Sequence, residues 1–127
     1  MPHLTVQIRE ETLDGSIESK LIRALTDAVA AVVGDWARAV AVVELFGVPE
    51  HRWGTGGIPG EAPAPVITLV MREGGLTHPQ IPDAPARLIK SLTEAAVTVL
   101  GEAVRKQVTV LIAGVPAGRS GVGGDVV

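Results

Sequence analysis

Proline stands directly behind the initiator methionine in MPHLTVQIRE, and it recurs at the head of PVITLVMRE, residues 65–73. Proline has no amide N–H for a strand interior but is accepted at a strand's first residue, which gives both copies a structural reading. A functional reading applies to one of them at most. Each copy closes on an arginine, Arg9 and Arg72, the only cations within these two segments. Further along, GVPEHRWGTGG (47–57) faces GVPAGRSGVGG (114–124), which sets Trp53 against Ser120. Other chemistries are excluded or unsupported. There is no cysteine, hence no thiol nucleophile, disulfide or thiolate metal site. The three histidines, His3, His51 and His78, lack metal-ligand spacing, so no metal is expected. The GTGG and GVGG runs lack the lysine and the strand–loop–helix setting of a phosphate loop, and are expected to form turns or hairpins.

The elements that must position these residues come in two copies. PHLTVQIRE and PVITLVMRE align at an offset of 63 with Pro, Thr, Arg and Glu identical. Beyond a loop four residues longer in the second copy, the offset becomes 67 and holds: LIRALTDAVAAVVG (21–34) faces LIKSLTEAAVTVLG (88–101), and the glycine tails share seven of eleven residues. Such a constant register marks a tandem duplication. Each unit reads strand, helix, strand. Leu4, Val6 and Ile8 alternate with Thr5, Gln7 and Arg9, the pattern of a half-buried strand. The first helix is expected after DGS with Ser16 as its N-cap, its apolar stripe running Ile17, Leu21, Ala24, Leu25, Ala28, Val29, Val32. The second is expected after Asp83, with Pro85 in its first turn, and Gly34 and Gly101 end the two helices. Second strands are expected in AVAVVELF (39–46) and QVTVLIA (107–113).

The organisation expected is a first β-α-β unit over 1–57, a Pro/Gly/Ala-rich linker over 58–64 and a second unit over 65–127. A single β-α-β unit cannot bury its apolar faces alone. The fold class is therefore α+β: two tandem β-α-β units in one four-stranded sheet with both helices on one face. The free sheet face and edges invite association between chains.

With 127 residues, 46% hydrophobic and 20% charged, one compact domain with a substantial core is expected. Only three aromatic residues occur, Trp36, Phe46 and Trp53, so the core must pack on Val, Leu, Ile and Ala. A net charge of −3 argues against a nucleic-acid surface. No signal peptide or membrane span is read, and a soluble, cytoplasmic protein is expected.

A β-α-β unit that starts with proline behind Met1 and ends in an aromatic–Gly–x–Gly–Gly tail resembles the 4-oxalocrotonate tautomerase family. The marks are Pro2, the 40–46 strand and WGTGG (53–57), echoed by Pro65, the 107–113 strand and SGVGG (120–124). The resemblance covers nearly the whole chain, one family-length unit per half. It implies a fused tautomerase in which one chain replaces a dimer of the short enzymes, assembled as a homotrimer.

The resemblance also gives Pro2 a role. In that family the catalytic group is the secondary amine of an N-terminal proline, freed when Met1 is removed. An internal proline nitrogen is a tertiary amide and has no basic lone pair. A terminal amine titrates ordinarily at about 7.7–8.0, and burial beside cations favours its neutral form, so it can act as a general base near neutral pH. Pro2 qualifies and Pro65 does not, which implies one live and one vestigial site per chain.

Antiparallel pairing of the first strands would bring Arg72 to Pro2 and Arg9 to Pro65. A guanidinium fork there binds a substrate carboxylate. The family's aromatic wall maps to Trp53 in one unit and to Ser120 in the other. The same pseudo-twofold sets Ser120 by Pro2 and Trp53 by Pro65, while leaving Trp53 open as a border of the live site. The family's arginine near the start of the second strand falls at Val42 and Thr109, where neither can replace it, and Arg38 and Arg105 are considered as compensation. A small monocarboxylate is therefore the expected substrate. The glutamate that dehalogenases of the superfamily use to activate water is matched by Thr55 and Val122, which favours proton transfer over water addition. Two other readings stand beside a cofactor-independent tautomerase: a non-catalytic ligand-binding or assembly module with a ferredoxin-like layout, and a hydratase or decarboxylase of the same superfamily.

Overall fold

In a computed structural model, which describes residues 1–60 and 64–127, the duplication is visible as a pseudo-twofold. Strand β1 (His3–Arg9) leads through a 3-10 turn to α1 (Ile17–Val33), and a second 3-10 turn leads on to β2 (Val42–Val48). A hairpin of β3 (Gly54–Thr55) and β4 (Ile58–Pro59) closes the first unit. The second unit repeats the plan with β5 (Val66–Arg72), a short helix α2 (Glu73–Leu76), α3 (Ala84–Leu100), β6 (Thr109–Val115) and a hairpin of β7 (Gly121–Val122) and β8 (Asp125–Val126).

The four long strands form one sheet in the order β2-β1-β5-β6. Within each unit the strands run parallel, while β1 and β5 meet antiparallel at the centre, with His3 opposite Val70 and Gln7 opposite Val66. The expected α+β arrangement is the one observed. Strand alternation decides the two faces. Leu4, Val6, Ile8, Ile67, Leu69 and Met71 point under the helices and are buried. They meet Leu21, Leu25 and Val29 of α1 and Leu88, Leu92 and Ala96 of α3, giving one aliphatic core. Each such buried Leu, Ile or Val contributes about 1.5–3 kcal/mol relative to an exposed one. The two helices pack on each other, and Ser91 Oγ donates to the Ala28 carbonyl at 2.9 Å across the contact. No described helix is long and apolar enough to cross a membrane.

Several local expectations need correction. Ser16 occupies the N-cap of α1, but its hydroxyl makes no cap bond. Asp14 takes that function: its Oδ1 accepts from the Ser16 and Ile17 amides at 2.9 and 3.1 Å and from the Ser16 hydroxyl at 2.8 Å. A charged acceptor two residues upstream displaces the weaker hydroxyl, and the Ser16 amide is the main cause that holds Asp14 below the usual carboxylate range. Asp83 precedes α3 in a left-handed conformation and also makes no side-chain cap bond. The second strands begin later than expected. The amides of Val40 and Ala41 are taken by the Ala37 carbonyl, and those of Gln107 and Val108 by the Val104 carbonyl, so pairing starts only at Val42 and Thr109. The proposed linker 58–64 is shorter at its start, because Ile58 and Pro59 pair with Thr55 and Gly54. Residues 61–63 of that linker lie outside the described residues.

Candidate functional site

The antiparallel seam decides what meets Pro2. With His3 opposite Val70, the start of β1 lies beside the end of β5, and alternation sends His3, Val70 and Arg72 to the face away from the helices. The β7–β8 hairpin, delivered by the end of β6, folds over this corner. Met1, His3, Val70, Arg72, Ser120 and Val122 are among the residues that line the resulting cavity of about 210 Å³. Pro2 lies between two lining residues, Met1 and His3. Its side chain is buried and its carbonyl accepts the Val42 amide at 3.0 Å, which pins the first residues to β2. Pro65 repeats this arrangement, buried with its carbonyl accepting the Thr109 amide at 3.0 Å.

Arg72 is exposed and, among the described residues, has no carboxylate partner. An unpaired guanidinium at a cavity wall is available to an anionic ligand. Arg9 sits at the opposite end of the seam, about 20 Å along a seven-residue strand, where Glu11 approaches it at 3.9 Å. Ser120 is half-buried at the hairpin's base. Its hydroxyl donates to the Val127 carbonyl at 2.9 Å, and the Val127 amide donates back to the Ser120 carbonyl at 2.9 Å, which closes the hairpin. Trp53 holds the equivalent place in the first hairpin, where its carbonyl accepts the Gly60 amide at 2.6 Å. That hairpin follows β2, whose last residue, Val48, pairs with Arg9. The structure thus gathers Met1–Pro2, Arg72 and Ser120 at one end of the seam, and Arg9, Trp53 and Pro65 at the other.

Arg38 and Arg105 do not reach either end. Arg38 is held by Asp27 and by Asp35, the latter at 2.9 Å. Arg105 is held by Glu94 at 2.5 Å and Glu102 at 2.6 Å. These twofold-related clusters tie each helix to the 3-10 turn that follows it. Hydrogen bonds donated to Asp35 and Glu94 respectively are the main causes that raise the pKa values of Arg38 and Arg105, and Arg105 in turn holds Glu94 and Glu102 below their ordinary value. Both guanidinium groups are thus engaged by carboxylates away from the two ends of the seam. Among the described residues no cluster of His, Asp and Glu could hold a metal ion.

Two residues of the cavities had no role in the sequence reading. His3 lines the Pro2 cavity, and its Nε2 donates to Glu44 Oε1 on β2. Its odd position behind Pro2 gave its face, but only the parallel register of β2 identifies Glu44. His78 lines an adjoining cavity of about 380 Å³ that shares Arg72 and Ser120 with the first. Its Nδ1 accepts the Gln80 amide at 3.1 Å, so Nε2 carries the hydrogen in the neutral ring.

A family model described as Tautomerase enzyme matches residues 65–127, the second unit. The chain belongs to the tautomerase superfamily, in its fused form. Native fused 4-OT is 26% identical over 98% of this chain and 94% of that one, with a TM-score of 0.82. R7 fused 4-OT, crystallised as an asymmetric trimer, is also 26% identical over 98% and 94%, with a TM-score of 0.83. Pt0534, a protein inactivated by 2-oxo-3-pentynoate, shares the fold at 18% identity over 98% and 94%, with a TM-score of 0.72. No curated protein matches the chain.

Proposed function

We propose that this fused tautomerase is a cofactor-independent isomerase that interconverts the enol and keto forms of a small 2-hydroxydienoate or enolpyruvate-type carboxylate. Removal of Met1, itself a wall of the cavity that Arg72 also lines, would turn the Pro2 nitrogen beside it into a secondary amine. That convergence carries the reading. Pro2 takes the enol O–H proton and returns a proton at carbon. The unpaired Arg72 holds the carboxylate through its fork and stabilises the charge that builds on the conjugated system. Ser120 completes the wall. Arg9 and Trp53, at the Pro65 end, do not serve Pro2 within one chain.

A homotrimer is part of the proposal. The sheet face opposite the helices leaves Phe46 and Leu111 about half exposed, and the fused relative R7 forms a trimer. The experiment is intact mass before and after incubation with 2-oxo-3-pentynoate, together with enol–keto turnover of wild type and Pro2→Ala. We expect loss of Met1, a single adduct mapped to Pro2, and a folded Pro2→Ala protein with about 10²-fold or more activity lost. A retained Met1, or full activity in Pro2→Ala, refutes the proline mechanism.

A further inference from the structure

The duplication supplies an internal control, because every position near Pro2 has a twofold mate near Pro65. Arginine occurs at both ends. The imidazole–carboxylate pair does not: at the offsets of 63 and 67, His3 corresponds to Val66 and Glu44 to Leu111. The strand register is the same in both halves, with Thr5 opposite Glu44 and Thr68 opposite Leu111. An ionisable pair on this scaffold therefore stands beside the proline that can become an amine, and two aliphatic residues stand beside the one that cannot. Both members are about half exposed, with side chains 50% and 47% accessible. A hydrogen-bonded pair that open to water adds little stability, so the fold does not require it.

From this we infer that His3, oriented by Glu44, is a second catalytic group of the Pro2 site and exchanges a proton with the substrate's enol oxygen while Pro2 works at carbon. The inference rests on the proline reading above and divides its proton transfer: the enol proton goes to His3 instead of to Pro2, which enters ketonisation protonated and keeps the step at carbon. A carboxylate only accepts hydrogen bonds, so its contact with His3 Nε2 places the hydrogen on that nitrogen and leaves the Nδ1 lone pair for the cavity. Arg72 and Met1 line the same cavity as His3. A carboxylate anchored on Arg72 keeps its neighbouring oxygen within the same small space. In ketonisation the enol O–H bond breaks and its proton passes to His3 Nδ1. The C=O bond forms, and the protonated Pro2 amine gives its proton to the terminal carbon of the conjugated system. The imidazolium then returns a proton to the Pro2 amine through water, so protons balance with no further reactant. Glu44 acts through His3 and is a positioning residue.

The test uses the full-length protein and an enolpyruvate-type substrate followed by ultraviolet absorbance. His3→Gln should lower kcat by about 10²-fold with KM within about threefold, the range for one proton-transferring group. Glu44→Gln should lower kcat by about tenfold, and the double variant should match His3→Gln alone, because the two residues act as one unit. Added imidazole should restore part of the rate of His3→Ala, which a packing role would not allow. Circular dichroism should show native folds, since both residues are half exposed. A His3→Gln kcat within twofold of wild type, or no response of His3→Ala to imidazole, overturns the inference. Labelling by 2-oxo-3-pentynoate separates the two readings. A labelled Pro2 with an indifferent His3 removes this inference alone, whereas an inactive wild type with an unlabelled Pro2 removes both.

Discussion

The twofold pair Arg72 and Arg9 offers a matched comparison, since the two residues end equivalent strands and differ in their surroundings. Replacing Arg72 by leucine removes a guanidinium that lines the Pro2 cavity and that has no carboxylate partner among the described residues. A hydrogen bond to a charged group contributes about 1.5–3 kcal/mol. At 1.4 kcal/mol per tenfold change, loss of the carboxylate anchor should lower kcat/KM by about 10- to 150-fold. Stability should change by no more than about 0.5 kcal/mol, as for a surface substitution that breaks no described ion pair. Arg9→Leu removes the same charge from the same strand position at the Pro65 end, where an exposed contact to Glu11 at 3.9 Å contributes about 0–1 kcal/mol. Its kcat/KM should stay within about twofold of wild type. Steady-state kinetics on both variants, with thermal melts as the folding control, decide the matter. Equal losses in the two variants, or the larger loss in Arg9→Leu, would refute the assignment of the live site to the corner of Met1, Arg72 and Ser120.

Two further predictions concern the scaffold. Leu92 is fully buried between α3, α1 and the sheet, so Leu92→Ala should cost about 2–5 kcal/mol and lower Tm by about 10–20 °C, read by calorimetry. Arg105→Gln should destabilise the protein at pH 7 but not in acid. Glu94 and Glu102 are held below their ordinary 4.5 chiefly by hydrogen bonds from Arg105. A depressed carboxylate adds stability above its unfolded pKa and loses it as pH falls through the folded value. The gap in Tm between wild type and variant should therefore be present at pH 7, close below about pH 4.5, and shrink in high salt because the groups are exposed.

Much of this architecture was legible because duplication and strand alternation are both properties of spacing. Offsets of 63 and 67 gave two units, and the alternation of Leu4, Val6 and Ile8 assigned the buried face. That an antiparallel seam would set Arg72 at the Pro2 end was legible as a condition, and β1 and β5 do pair antiparallel. What escaped was set by competition between nearby groups. Asp14 outcompetes Ser16 for the amides at the start of α1 because it carries a charge. The 3-10 turns at Ala37 and Val104 capture amides that a β-branched run would otherwise offer to the sheet, which delays β2 and β6. The Glu44 partner of His3 was invisible for another reason: it lies 41 residues away, and a one-residue slip of β2 would turn it to the opposite face.

The same reasoning separates scaffold from site. Positions on which the two halves agree, such as Pro2 and Pro65, Arg9 and Arg72, Gly34 and Gly101, include those that the unit's fold asks for, whatever each end does. Gly34 and Gly101 show this plainly, both at positive φ, 123° and 102°, where a helix gives way to the next turn. Agreement alone therefore cannot mark Arg72 as functional; the proposal rests instead on its place in the cavity wall with no carboxylate partner among the described residues. Positions on which the halves differ carry the opposite information. Val66 and Leu111 show that the fold tolerates aliphatic residues where His3 and Glu44 stand, and Trp53 shows that it tolerates an indole where Ser120 stands. Fusion makes such divergence available, because two ends that would be identical in a symmetric dimer become independent once one proline is locked inside the chain. On the proposed reading, the end with the releasable proline is free to collect polar groups suited to one substrate, and the other end is free to differ.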